Sequence, residues 1–184
     1  MSPQADGDPR EELDVERDGA SERRGLRWLN ALPAEQATVE LLACCGSTAW
    51  ADRVAAARPF AAAAALAAAA DRVWDALAPD DWLEAFAAHP RIGAHAPAGG
   101  WAAVEQAGVG EADPAVLAAL AEGNLAYERR FGHVFLIYAS GRKAEDLLAE
   151  LNRRLDNDPE TELRVAAAEQ RKITRLRLQK LLRP

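Results

Sequence analysis

The chain has 184 residues, enough for one domain with a substantial core and short for two. Its 22 basic and 29 acidic side chains give a net charge of −7, of which residues 1–24 hold −4, so no basic surface is available for nucleic acid. No stretch of about eighteen residues is apolar and uncharged enough to span a bilayer, and the expectation is a cytoplasmic protein with neither a nucleic-acid nor a membrane partner. Cys44 and Cys45, the only cysteines, are adjacent and cannot join distant segments, which fits a reducing compartment. They read as buried structural residues, with a reactive thiol as the alternative.

Residues 1–24 are rich in Asp, Glu and Arg and poor in large apolar groups, and are expected to be a disordered acidic tail before a single domain over 25–184. Order should start near Leu26-Arg27-Trp28-Leu29. A helix then opens at Pro33, carries Val39, Leu41 and Leu42, and ends at Gly46. Ser47 or Thr48 caps the next, which holds Trp50 and Val54 and stops before Pro59. An Ala-rich helix follows, from Arg58-Pro59-Phe60 to Leu77; alanine is the best helix former and lets neighbouring helices approach closely.

After Pro79 and an Asp80/Asp81 cap, Trp82, Phe86 and His89 share one side of a helix that Pro90 must end, so the imidazole extends a buried stripe. A helix C-terminus favours the imidazolium, a setting for a proton donor; the alternative is a core histidine satisfied by a carbonyl. A Gly/Pro-rich loop, 94–100, leads to a short helix from Trp101 presenting Glu105 and Gln106. Asp113-Pro114 starts a helix to Gly132 whose apolar stripe (Val116, Leu117, Leu120, Tyr127, Phe131) also contains Asn124 and Glu128. Val134 to Tyr138 is uniformly apolar, which periodicity cannot assign to strand or buried extended chain. Two further helices carry Leu147, Leu148, Leu151 and Leu155, and then Leu163, Ala166, Gln170, Ile173, Arg177 and Leu181 on one face. Arg177 is the one arginine of the last helix aimed inward. It needs either an acidic partner, for which Glu128 is the candidate, or an anionic ligand. The pattern is an all-α bundle of about eight helices.

Three histidines do not make a metal site here: His89 and His95 straddle a loop, His133 is remote, and no HExxH or paired-cysteine motif occurs. No phosphate-cradling glycine loop and no nucleophile elbow is present. What remains is an acid/base pair, His89 and Glu105, flanking one loop, with an inward arginine able to hold an anion. Such a set suits proton transfer on a small acidic substrate.

Several blocks, in order, resemble the 2-oxo-4-hydroxy-4-carboxy-5-ureidoimidazoline (OHCU) decarboxylases. They are Cys44-Cys45-Gly46-Ser47 followed by Trp50, Arg58-Pro59-Phe60, Ala85 through Gly93, Trp101 with Glu105-Gln106, Asn124 through Gly132, Phe135 through Arg142, Arg154 through Asp158, and Ile173 through Leu178. The resemblance implies an all-α, cofactor-free, usually dimeric carboxy-lyase that completes the conversion of urate to (S)-allantoin. It implies that His89 is the catalytic histidine and Glu105 its partner acid. Gln106 then contacts the substrate ring, Arg177 binds substrate, and Pro90 with Phe135, Leu136, Ile137, Tyr138 and Ala139 lines the site. Two departures stand out: Ala102 occupies a position that is often serine in the family, and Tyr138 one where smaller residues are common. The competing reading is a helical protein of the same scaffold that binds a purine-degradation ureide without turning it over.

Overall fold

A computed structural model of the chain describes residues 9–93, 101–106 and 112–183. Among them are nine helices: α1 (Pro9–Ala31), α2 (Ala34–Cys45), α3 (Thr48–Ala56), α4 (Ala63–Asp75), α5 (Pro79–Ala87), α6 (Trp101–Glu105), α7 (Pro114–Phe131), α8 (Ala144–Arg154) and α9 (Pro159–Leu181). No strand occurs among the described residues, and none of their helices is long and apolar enough to cross a membrane. The expected tail is corrected in part: helix begins at Pro9, and Asp18 and Glu22 of α1 both pair with Arg183 beyond α9. That additional helix accounts for nine elements where about eight were expected. Residues 1–8 lie outside the described residues, as does the 94–100 loop with His95.

Most boundaries follow from local chemistry. Gly46 takes the left-handed conformation at the end of α2 (φ 85°), and Ser47 accepts from the Trp50 N–H at the start of α3. Asp113 and Asp158 cap α7 and α9, each followed by proline at the first helical position. The Asp80/Asp81 cap takes a modified form: Ala78 is the N-cap residue, and the Asp81 carboxylate accepts from its N–H. The Arg58–Pro59 peptide is cis, and Arg58 donates to the carbonyls of Leu29, Leu32 and Ala55, tying the end of α3 to α1.

Two apolar clusters form the interior. One gathers α2, α3, α4 and α5 around α9, with Trp50, Trp74, Leu41 and Phe86 inside; the other lies between α7 and α8, with Leu120, Tyr127, Leu147 and Leu151. The segment 134–139 runs between them without regular secondary structure. Its side chains alternate: Phe135, Ile137 and Ala139 join the second cluster, while Val134, Leu136 and Tyr138 pack on the first. Both faces are covered, so every position is apolar and the period of two is invisible in the sequence. Some backbone groups of this unpaired stretch are satisfied by side chains instead. The Tyr138 N–H donates to Glu169 (2.8 Å), and the Leu136 carbonyl accepts from Arg154 (2.8 Å).

Arg154 belongs to a network whose central ion pair is fully buried. It donates through Nε (2.8 Å) and Nη2 (2.5 Å) to Glu162, whose carboxylate also accepts from Tyr127 and, at 2.7 Å, from Asn157. Neither Arg154 nor Glu162 has any exposed side-chain surface. A buried ion pair this completely hydrogen-bonded holds α7, α8 and α9 in one arrangement around the 134–139 segment.

Candidate active site

α5 ends at Ala87 and Pro90 prevents its continuation, so His89 leaves the helix with its N–H on the Phe86 carbonyl (3.1 Å). The turn is set against the C-terminus of α2, where a Cβ on Gly46 would lie 2.6 Å from that of Ala88. After the turn the chain is held from two sides. Asn124 of α7 donates to the Ile92 carbonyl (2.8 Å), and the Gly93 N–H donates to Gln106 Oε1 (3.0 Å). Glu128, the other polar residue in the α7 stripe, takes Arg91 in a two-point ion pair (2.5 and 2.7 Å). The polar positions of α7 thus fix the backbone that follows His89. The proposed Arg177–Glu128 pair does not form.

Arg177 pairs with Glu105 instead. Its Nε and Nη2 donate to the two carboxylate oxygens at 3.0 and 2.8 Å, both residues are 8% exposed, and the guanidinium stands over the Trp101 ring at 5.9 Å. Lys180 adds a weaker approach to the same carboxylate at 3.9 Å. Bidentate geometry with little solvent is the strong form of this interaction.

These elements line a pocket that opens to solvent. Of the residues expected in the site, His89, Pro90, Glu105, Gln106, Phe135, Leu136, Ile137, Tyr138 and Ala139 all line it. Arg177 does not; it stands one layer behind, engaged by Glu105. Ser140, Ile92, Ile173 and Leu176 complete the wall, and none of these four was expected in the site. The helical period places Ile173 with Arg177 on the inward face of α9, but not in the pocket. The side chain of Ala102 lies outside the described residues.

The electrostatics correct the expectation of an imidazolium at rest. Burial, reinforced by the Arg177 charge, lowers the His89 pKa from 6.5 to about 4, against opposing effects of Glu105 and Gln170. Desolvation outweighs the helix C-terminus. The ring is therefore neutral at physiological pH, and its buried Nε2 has no hydrogen-bond partner among the described residues. Cys44 and Cys45 are buried and unbridged, and burial pushes the Cys45 thiol up to about 12, so neither is a poised nucleophile.

An apolar-walled pocket with a neutral histidine, an ion-paired carboxylate and a carboxamide can bind a small polar ring and exchange protons with it. The chain is 38% identical over 145 residues, 75% of its length, to the uric acid degradation bifunctional protein TTL of Arabidopsis thaliana. It is 38% identical over 77 residues to 2-oxo-4-hydroxy-4-carboxy-5-ureidoimidazoline decarboxylase of Amia calva, 42% of its length. The matched stretches cover 45% and 44% of those proteins, so the chain corresponds to under half the length of each. Among solved structures, an OHCU decarboxylase crystallised in the presence of (S)-allantoin superposes with a TM-score of 0.71 at 38% identity, covering 78% of this chain and 96% of that one. An (S)-allantoin synthase shares the fold, with a TM-score of 0.65 at 23% identity over 85% of this chain and 53% of its own. The OHCU decarboxylase family profile matches residues 30–179, and the chain belongs to that family.

Proposed function

We propose that the protein decarboxylates 2-oxo-4-hydroxy-4-carboxy-5-ureidoimidazoline to (S)-allantoin, the last step from urate, without a cofactor. The observation that carries this reading is the convergence of His89, Glu105, Gln106 and the 135–139 segment on one pocket in a member of this family. The substrate's name places a hydroxyl and a carboxylate on ring carbon 4 and the ureido group on carbon 5. Loss of CO2 breaks the bond from carbon 4 to the carboxylate, and the electron pair passes into the ring's carbon–nitrogen double bond. Because the ring is its own electron sink, neither pyridoxal phosphate nor thiamine is called for. The hydroxyl proton then leaves as the carbon 4 carbonyl forms, while protons add to carbon 5 and to the ring nitrogen. One proton is taken up per CO2 released.

In this scheme His89, neutral before substrate binds, accepts the hydroxyl proton and returns it to carbon 5 from one side, which sets the S configuration. Glu105 and Gln106 hydrogen-bond the ring. Arg177 acts through Glu105, holding its carboxylate in place and balancing its charge. Tyr138 and the backbone of 135–139 shape the opposite wall. General acid–base catalysis is typically worth roughly 10²- to 10⁴-fold, so His89→Ala should lower turnover by that factor while far-UV circular dichroism stays unchanged. Turnover equal to the parent's would remove His89 from the reaction.

The same reading makes the protein a cytoplasmic homodimer. Unbridged buried cysteines suit a reducing compartment. Light scattering at micromolar concentration should read twice the 19.8 kDa of the chain.

A further inference from the structure

The reading of His89 as a proton carrier leaves open which ring nitrogen exchanges with substrate. Gln170 of α9, fully buried and assigned no role so far, bears on that. Its Nε2 donates to the Cys45 carbonyl (3.3 Å) and lies 3.2 Å from the Thr174 hydroxyl. A carbonyl only accepts, so the amide orientation is fixed: nitrogen toward Cys45, oxygen the other way. That oxygen, Oε1, is buried and unpartnered among the described residues. So is His89 Nε2. The chain just after Cys45 packs at Gly46 against Ala85 and Ala88, which places the carboxamide beside the turn carrying His89. Of these two orphaned buried atoms, one is an obligatory acceptor and the other is able to carry a proton.

Resting on the decarboxylase reading, we infer that Gln170 Oε1 accepts a hydrogen bond from His89 Nε2–H, so that Gln170 selects the ring's tautomer and leaves Nδ1 as the nitrogen that exchanges a proton with substrate. Gln170 is then a positioning residue, orienting the imidazole from behind as Arg177 orients Glu105. The interaction of Gln170 with the ring acts in the matching direction, favouring the protonated imidazole against burial and Arg177, with Glu105 on the same side as Gln170. A chain of contacts follows from the end of α2, through the Gln170 amide, to the imidazole. A second acceptor at that position would strengthen the bond, and an apolar group would release the ring.

The test is 15N NMR of the histidine side chains in the full-length protein near neutral pH, with His89 assigned by loss of its signals in His89→Gln. The expected result is a protonated Nε2 and a bare Nδ1 at His89. Gln170→Met should then give a ring that averages its tautomers, and Gln170→Glu, nearly isosteric, should raise the His89 titration midpoint by at least one pH unit. In turnover, Gln170→Met should lower kcat by about 10- to 100-fold with KM little changed, by analogy with the outer-shell partners that orient metal-bound histidines. A proton on Nδ1 in the parent, or the parent's pattern persisting in Gln170→Met, overturns the inference. If Gln170→Met does not fold, the parent spectrum and Gln170→Glu still decide. The spectrum needs no substrate, so a failed inference is distinct from a failed decarboxylase assignment, which product analysis reads separately.

Discussion

Arg177 and Glu105 are each other's main partner at the back of the pocket, and neither charge is well served alone. Removing one partner of a nearly buried pair typically costs roughly 3–5 kcal/mol, because the other is left desolvated. Arg177→Met should therefore lower the denaturation midpoint sharply and abolish turnover, whereas Arg177→Met combined with Glu105→Leu should regain much of the stability and none of the activity. A double variant no more stable than Arg177→Met would show that the pair is not a unit. His89 makes a second prediction, in pH. Its pKa is about 4 in the folded protein against 6.5 ordinarily, so between those values the unfolded chain binds the proton and the folded chain does not. Stability should fall as pH drops from 6.5 toward 4 and stop responding to this group below that, an effect of roughly 3 kcal/mol at full extent. Urea denaturation from pH 4 to 7 should show a shallower slope in His89→Gln than in the parent; equal slopes would contradict a desolvated ring.

At the scale of elements, the 134–139 segment forms one wall of the pocket without belonging to any helix, and Arg154 and Glu169 hold its backbone. Arg154→Met leaves Glu162 buried without its cation and the Leu136 carbonyl without its donor. A loss of about 3–5 kcal/mol is expected by chemical denaturation, with substrate turnover falling in the fraction that remains folded. Unchanged stability would mean that the network does not hold the segment. Gly46 is the corresponding point on the other wall: alanine there meets a positive φ and the Ala88 Cβ together, and should cost about 2 kcal/mol. Helices with strong punctuation were legible in the sequence, since proline, capping residues and glycine mark α2, α3, α7 and α9. The buried Arg154–Glu162 pair was not read, although Arg154 follows Leu147 and Leu151 on one helical face and could have been found by that spacing. Glu162 stands four residues before Ala166 and eight before Gln170, on the inward face of α9, so the same spacing could have found it. The start of α1 was missed because its charged composition resembles an unfolded segment, while its last turns dock through Leu26 and Leu29.

Across the whole molecule, the pocket sits where two apolar clusters meet, and each contributes one side of the segment between them. Residues far apart in sequence, from the turn after α5, from α6, the 134–139 segment and α9, converge there. Ordered sequence blocks carried the identity of most lining residues, because each block supplies one wall. How the charges pair was not legible: the sequence offered Arg177 one acidic candidate, Glu128, or an anionic ligand, and only the fold decides that Glu128 serves Arg91 while Glu105 serves Arg177. The protonation state of His89 was equally hidden, since the helix terminus that favours imidazolium is sequence-local while the burial that opposes it is tertiary. The most direct measurement is circular dichroism of the product formed when the purified protein meets ureidoimidazoline freshly generated from urate, for the parent and for His89→Ala. A rapid signal of (S)-allantoin in the parent, lost in the variant, is expected of a pocket that returns the proton to one face. Slow formation of racemic product, equal with and without protein, would contradict it.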